Sequence, residues 1–255
     1  MKMLPRIIPV LLLHKEGLYK TVKFSTPKYV GDPINAVKVF NDKEVDELVF
    51  LDIDATKENR EPNYDLLKQI ASECFMPLCY GGGIKNIEQI RKILKLGFEK
   101  VAINSEAVRN PEFIKQSSQV FGSSTIVVSI DYKSTFLSGK YPFAENGKMK
   151  AKTNLLNFVK LVEEMGAGEI LLNSIENDGL MQGYDLQTID LVSKSVSIPV
   201  IACGGAGKIT DFSQAIQHQA SAAAAGSMFV FYGPHRAVLI SYPDTHELKQ
   251  LFENY

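Results

Sequence analysis

The sequence predicts a (βα)8 barrel, an α/β fold built from two similar half-barrels, as a single domain over residues 1–255. Three observations predict it. Eight short apolar, β-branched runs recur along the chain, and each leads into an amphipathic segment, which fits eight βα units in about 250 residues. The chain also nearly repeats itself: Gly81-Gly82-Gly83 recurs as Gly204-Gly205, with Gly83 and Gly205 separated by 122 positions. Val49-Phe50-Leu51-Asp52 matches Ile170-Leu171-Leu172-Asn173 at an offset of 121, and Asn104-Ser105 matches Gly226-Ser227 at 122. Finally, the rival doubly wound sheet usually carries Gly-x-Gly-x-x-Gly after its first strand. Here the first run leads into His14-Lys15-Glu16-Gly17.

Taken in order, the expected strands are 6–12, 47–53, 77–80, 100–104, 125–131, 169–174, 199–203 and 222–226. Their continuous apolar character suits strands buried on both faces, as in a parallel sheet. The segments between them show helical spacing. Leu66, Leu67, Ile70 and Ala71 form one apolar face, Ile87, Ile90, Ile93 and Leu94 a second, and Leu155, Phe158, Val159 and Val162 a third.

The composition narrows the function. At 45% hydrophobic and 22% charged residues the chain can bury a full core. A net charge of −1 argues against general nucleic-acid binding, which needs a basic face. Cys74, Cys79 and Cys203 lack CxxC spacing and read as reduced thiols of a cytoplasmic protein. The first ten residues lack a signal-peptide cleavage site, and no apolar run reaches the roughly 18–20 residues of a membrane span.

In a barrel, chemistry sits at the C-terminal strand ends. The residues there are Leu12, Asp52, Cys79, Asn104, Asp131, Asn173, Cys203 and Ser227. Glycine beside a strand end lets backbone N–H groups approach a phosphate closely. The duplicated clusters, each followed by a small polar pair one unit later, therefore predict two phosphate sites and a substrate with a phosphate at each end. The alternative is a pair of plain tight turns. Gly204, Gly205, Gly226 and Ser227 hold the place where barrels frequently bind phosphate, and Asp178-Gly179 follows strand six at the same end. Asp131 closes an apolar run and is the catalytic candidate; the alternative is that it caps the next segment or pairs with Lys133. Asp52 is a second carboxylate, for catalysis or for substrate hydroxyls. His218, His235 and His246 are scattered and solvated in this reading, and no metal-ligand spacing appears. Arg6, Glu47, Lys100 and Glu169 each start a strand, so a closed barrel brings them together at its bottom mouth. Barrel stability is the ordinary reading of such a set.

These residues resemble the cyclase subunit of imidazole glycerol phosphate synthase over essentially the full length. The matching strings are Arg6-Ile7-Ile8, 46–53 (DELVFLDI), Gly81-Gly82-Gly83-Ile84, Gly122-Ser123, 166–172 (GAGEILL), Asp178-Gly179 with Gly183-Tyr184-Asp185, and 204–208 (GGAGK). The resemblance implies a barrel descended from a duplicated half-barrel and paired with a glutaminase subunit. It implies that ammonia enters the bottom, crosses the interior and attacks a doubly phosphorylated substrate at the top, with no cofactor. It makes Arg6, Glu47, Lys100 and Glu169 an ammonia gate rather than a stability device. It places Glu99 at the partner interface. It assigns phosphate contacts to Gly83, Asn104 and Ser105 at one end and Gly179, Gly205, Gly226 and Ser227 at the other. It makes Asp131 one catalytic aspartate and puts Lys20 on a flexible first loop that contacts substrate.

The departures matter as much. The family's second catalytic aspartate, at the end of strand one, is replaced by Leu12, which cannot transfer a proton. The glycine that follows the lysine is Thr21 here. Cys79, Cys203, Asn173 and Asp54 replace a threonine, a serine and two threonines. The favoured expectation is a divergent paralogue. It passes ammonia to a nucleotide-sugar acceptor in surface-polysaccharide (lipopolysaccharide) synthesis, converting acetamido to acetamidino beside a third, ATP-using amidotransferase. One alternative is a working cyclase of histidine biosynthesis in which His14 or Glu16 supplies the proton transfer. Another is a non-catalytic activator of the glutaminase.

Overall fold

The structure, a computed structural model, describes residues 4–136 and 139–253. Eight parallel strands form the barrel: β1 (Arg6–His14), β2 (Leu48–Asp52), β3 (Leu78–Gly81), β4 (Lys100–Ile103), β5 (Ile126–Thr135), β6 (Glu169–Ser174), β7 (Val200–Cys203) and β8 (Ala222–Ala225). Each pairs with the next, and β8 pairs back to β1 from Arg6↔Ala222 to Pro9↔Ala225, so the sheet closes. Helices follow the strands in turn: α1 (Pro33–Asp42), α2 (Tyr64–Glu73), α3 (Ile87–Lys95), α4 (Glu112–Phe121), α5 (Leu155–Glu164), α6 (Leu186–Ser193), α7 (Ile209–Gln217) and α8 (Thr245–Phe252). Local sequence sets their starts. Asp32 caps α1 ahead of Pro33, and Asn86 with Gln89 forms a capping box on α3.

Strand alternation sorts the apolar residues into two cores. On β1, Ile7, Leu11 and Leu13 face the helices and join an outer core that includes Phe40, Phe50, Phe158 and Phe212. Emptying one of those aromatic positions costs about 3–5 kcal/mol. Ile8 and Val10 face the lumen and meet Val49, Cys79, Ala102, Val127, Leu171, Ile201, Ala222 and Ala224. The lumen is therefore a column of apolar, mostly small side chains.

The half-barrel repeat is visible in the backbone. A short helix, Ser105–Arg109, follows β4, and its counterpart, Ser227–Val230, follows β8. The residues before them share one conformation, φ −114° and ψ −74° at Asn104, and φ −109° and ψ −71° at Gly226.

Two strands run further than expected. β1 continues past Leu12 to His14 because it folds back as a hairpin, with Gly17–Lys20 pairing Leu12↔Tyr19 and His14↔Gly17 and a third strand, Lys28–Gly31, beside it. β5 continues past Asp131 to Thr135 and folds back as Gly139–Ala144 and Met149–Lys150. The equivalent first strands of the two halves thus both carry hairpins over the top of the barrel. Lys20 accordingly ends a strand and is buried, not on a flexible loop, and His14 is the last residue of β1 rather than just beyond it.

Candidate active site

A cavity of about 330 Å³ opens at the C-terminal strand ends. Both glycine turns line it: Gly81–Gly83 with Asn104 and Ser105 from one half, and Gly204–Gly205 with Gly226 and Ser227 from the other. The turns need glycine. Gly83 has φ +70°, and Gly205 has φ +120° with a Cβ there falling 2.1 Å from the Gly183 carbonyl oxygen. Ser227 is buried and its Oγ makes no hydrogen bond. A buried hydroxyl without a partner is costly, so it marks a position for a ligand oxygen. Asn104 is instead committed to the scaffold. Its Nδ2 donates to the carbonyls of Ser129 (3.0 Å) and Phe143 (3.1 Å), and Ser105 Oγ accepts from the Glu145 N–H at 3.1 Å.

Asp131 faces the cavity from β5. Its carboxylate accepts from Asn173 Nδ2 at 2.8 Å, the residue in register with it on β6. Lys133 does not pair with it; that ammonium donates to the Gly147 carbonyl and lies over Phe143. Burial pushes the Asp131 carboxyl up to about 7, with the Asn173 hydrogen bond opposing and the nearby Asp178 charge adding to the rise. A carboxyl that titrates near neutrality can both give and take a proton.

On the opposite wall, β1 presents Leu12, and two residues on, along the same face, His14. His14 Nδ1 lies 2.8–2.9 Å from the Asp54 carboxylate. Asp54 is 4% exposed; burial works against its charge, but the Lys15 N–H, His14 and Arg60 outweigh it and hold the carboxyl below its ordinary value. Glu16 is exposed and lies outside the cavity lining. In the sequence Asp54 stands out only as a residue in place of a threonine. The pairing depends on the two-residue extension of β1, which no periodicity announces.

The other expected residues are engaged. Lys20 Nζ binds Asp178 Oδ1 at 2.7 Å and the Thr21 carbonyl at 3.0 Å, tying the first hairpin to the loop after β6. Asp52 accepts from the N–H groups of Asp54 and Ala55, both at 3.0 Å, and from Arg60 at 2.9 Å. Its carboxylate shapes the loop after β2.

At the other end, Arg6, Glu47, Lys100 and Glu169 close into a ring of alternating charge. Arg6 reaches Glu47 at 2.6 Å and Glu169 at 2.5 Å, and Lys100 reaches the same two at 3.1 and 2.9 Å. Burial works against the charges of Arg6 and Lys100, but the two glutamates outweigh it and hold both above their ordinary values. Glu99 is exposed beside this ring. Among the described residues no cluster of His, Cys, Asp and Glu could hold a metal ion, and no helix is long and apolar enough to cross a membrane.

The profile of one protein family, described as "Histidine biosynthesis protein", matches residues 6–235. The chain belongs to that family. Within it, the chain is similar to the HisF subunits. It is 53% identical over 244 residues to "Putative imidazole glycerol phosphate synthase subunit hisF2" of Pseudomonas aeruginosa, covering 95% of this chain and 97% of that one. It is 50% identical over 250 residues to "Putative imidazole glycerol phosphate synthase subunit hisF3" of Vibrio vulnificus, covering 97% and 96%. "Imidazole glycerol phosphate synthase subunit HisF" of Hydrogenobaculum sp. is 43% identical over 227 residues, covering 89% and 90%. This family protein is thus a HisF-like cyclase subunit, and its greater identity is to the numbered paralogues.

Proposed function

We propose that this chain is the synthase subunit of a glutamine amidotransferase, that it receives ammonia from a glutaminase subunit through its lumen, and that its acceptor is a nucleotide-linked sugar rather than the doubly phosphorylated ribotide of the family. The observation that carries this reading is a pairing of opposites. The ring of Arg6, Glu47, Lys100 and Glu169 is complete beneath an apolar lumen, while the wall facing Asp131 carries Leu12. The ring serves as the ammonia gate, Glu99 meets the partner, and Asp131 with the two glycine turns holds the acceptor. Names containing "subunit" among the relatives support a two-chain assembly. The acceptor change fits a role in surface-polysaccharide synthesis, where a third, ATP-using amidotransferase activates the acetamido group for conversion to acetamidino. Supplying the complex with glutamine, ATP, that amidotransferase and an acetamido nucleotide sugar tests it. An amidino product that depends on this chain supports the reading, and product formation without the chain removes it.

A second reading has its own observation. The His14–Asp54 pair lies on the wall that lost the carboxylate, oriented so that His14 Nδ1 is held by Asp54. It favours a cyclase in which His14 takes over the proton transfer. His14→Gln then lowers ribotide turnover by about 10²–10⁴-fold; unchanged turnover excludes it.

A further inference from the structure

Asn173 offers hydrogen-bonding capacity that the folded chain does not use. The residue is 7% exposed, and its Nδ2 is spent on Asp131 at 2.8 Å. Its Oδ1 is buried and accepts nothing. Once Asp131 is ionised its carboxylate only accepts, so in that state the amide nitrogen faces Asp131 and the oxygen faces away. That oxygen packs against Gly204, where a Cβ would come within 2.7 Å of it. Asn173 lines the cavity, and the folded chain brings no donor to its oxygen. A buried amide oxygen left empty forfeits free energy, so its persistence points to a ligand with an N–H or O–H group.

The strand says which ligand. On β6 the lumen face reads Glu169, Leu171, Asn173, while Ile170 and Leu172 face the helices. Glu169 belongs to the charged ring at the bottom, and Leu171 belongs to the apolar column. Asn173 is four residues above the ring, about 13 Å along the strand. It is the first polar side chain that a small molecule admitted beside Glu169 and rising past Leu171 meets on this strand.

We propose that the Asn173 carboxamide is the receiving point for ammonia at the top of the lumen, with Oδ1 accepting an N–H of ammonia while Nδ2 holds Asp131 beside it. This rests on the reading that ammonia crosses the barrel. Ammonia suits the position because it donates to Oδ1 and still presents its lone pair, or its proton as ammonium, to the Asp131 carboxyl. Leu12 on the facing wall adds no charge to hold it there.

The test uses the full chain with 13C-labelled aspartate. The Asp131 carboxyl signal, assigned with Asp131→Asn, is followed by NMR near the pKa of ammonium. Ammonium chloride is added, with equal potassium chloride as the control. The expected result is a displacement specific to ammonium that saturates. It is lost in Asn173→Leu, while Asp131 still titrates, and is partly kept in Asn173→Thr, which retains a small acceptor and covers the case in which the leucine variant fails to fold. An equal response to both salts, or an ammonium response that survives in both folded variants, overturns the proposal. Supplying glutamine to the glutaminase complex in place of the salt separates the two ideas. A response to salt but not to glutamine keeps the Asn173 site and removes the route through the barrel.

Discussion

Replacing Asp131 with asparagine should stabilise the protein at alkaline pH and leave it little changed in acid. The Asp131 carboxyl lies at about 7 in the folded chain against an ordinary 3.8. Between those values the folded state binds the proton and the unfolded state releases it, so stability falls as pH rises through that window and levels off above about 7. A shift of about three units corresponds to about 4 kcal/mol at 1.36 kcal/mol per unit. That is a ceiling, because the carboxyl faces a cavity that water reaches; about 2–4 kcal/mol is expected. An asparagine keeps the shape, does not titrate, and its own side-chain oxygen can accept the Asn173 hydrogen bond. Urea unfolding of both chains from pH 4 to pH 8.5 measures the difference. It should be near zero or slightly unfavourable at pH 4 and favour the variant by about 2–4 kcal/mol at pH 8.5. Parallel curves with no divergence between pH 4 and 8.5 would show that Asp131 ionises freely and would refute the argument from burial.

The ring gives a second prediction. Lys100→Ala leaves the buried Glu47 and Glu169 with Arg6 alone. Stranding a buried charge with no partner costs about 3–5 kcal/mol; here both glutamates keep Arg6 and the ring is part-buried, so a smaller fall in thermal melting is expected, and glutamine hydrolysis in the complex should continue while ammonia escapes to solvent. Ammonia delivery equal to wild type would remove the gate. Gly205→Ala forces a Cβ to 2.1 Å from the Gly183 carbonyl at φ +120°; loss of phosphate-ligand binding is expected by calorimetry, and full retention would show that the turn is not the site. Lys20→Met strands Asp178 without its ion pair. The hairpin over the cavity should then exchange its amides faster, which hydrogen exchange reads directly.

The fold was legible because parallel strands buried on both faces leave unbroken apolar runs, and because the repeat doubled each signal. The charged ring was legible too: Arg6, Glu47, Lys100 and Glu169 all stand at strand starts, and closure does the rest. The hairpins were not. Leu13 and Leu18 look like ordinary core residues, and nothing in 12–20 distinguishes a strand that turns back from one that ends. That one feature hid the burial of Lys20 and the meeting of His14 with Asp54. Asp52 misled for a different reason: a carboxylate at a strand end has the same sequence signature whether it faces a substrate or an arginine eight residues on.

Whether Leu12 has removed the cyclase chemistry is decided by turnover of the family's doubly phosphorylated ribotide by the purified chain with an ammonium salt in place of the glutaminase. No cyclised product above the uncatalysed rate is expected, because Leu12 leaves Asp131 without its facing proton-transfer group. Product at the rate of an ordinary HisF subunit would contradict it, and would return this barrel to ribotide chemistry with His14 and Asp54 in place of the missing carboxylate.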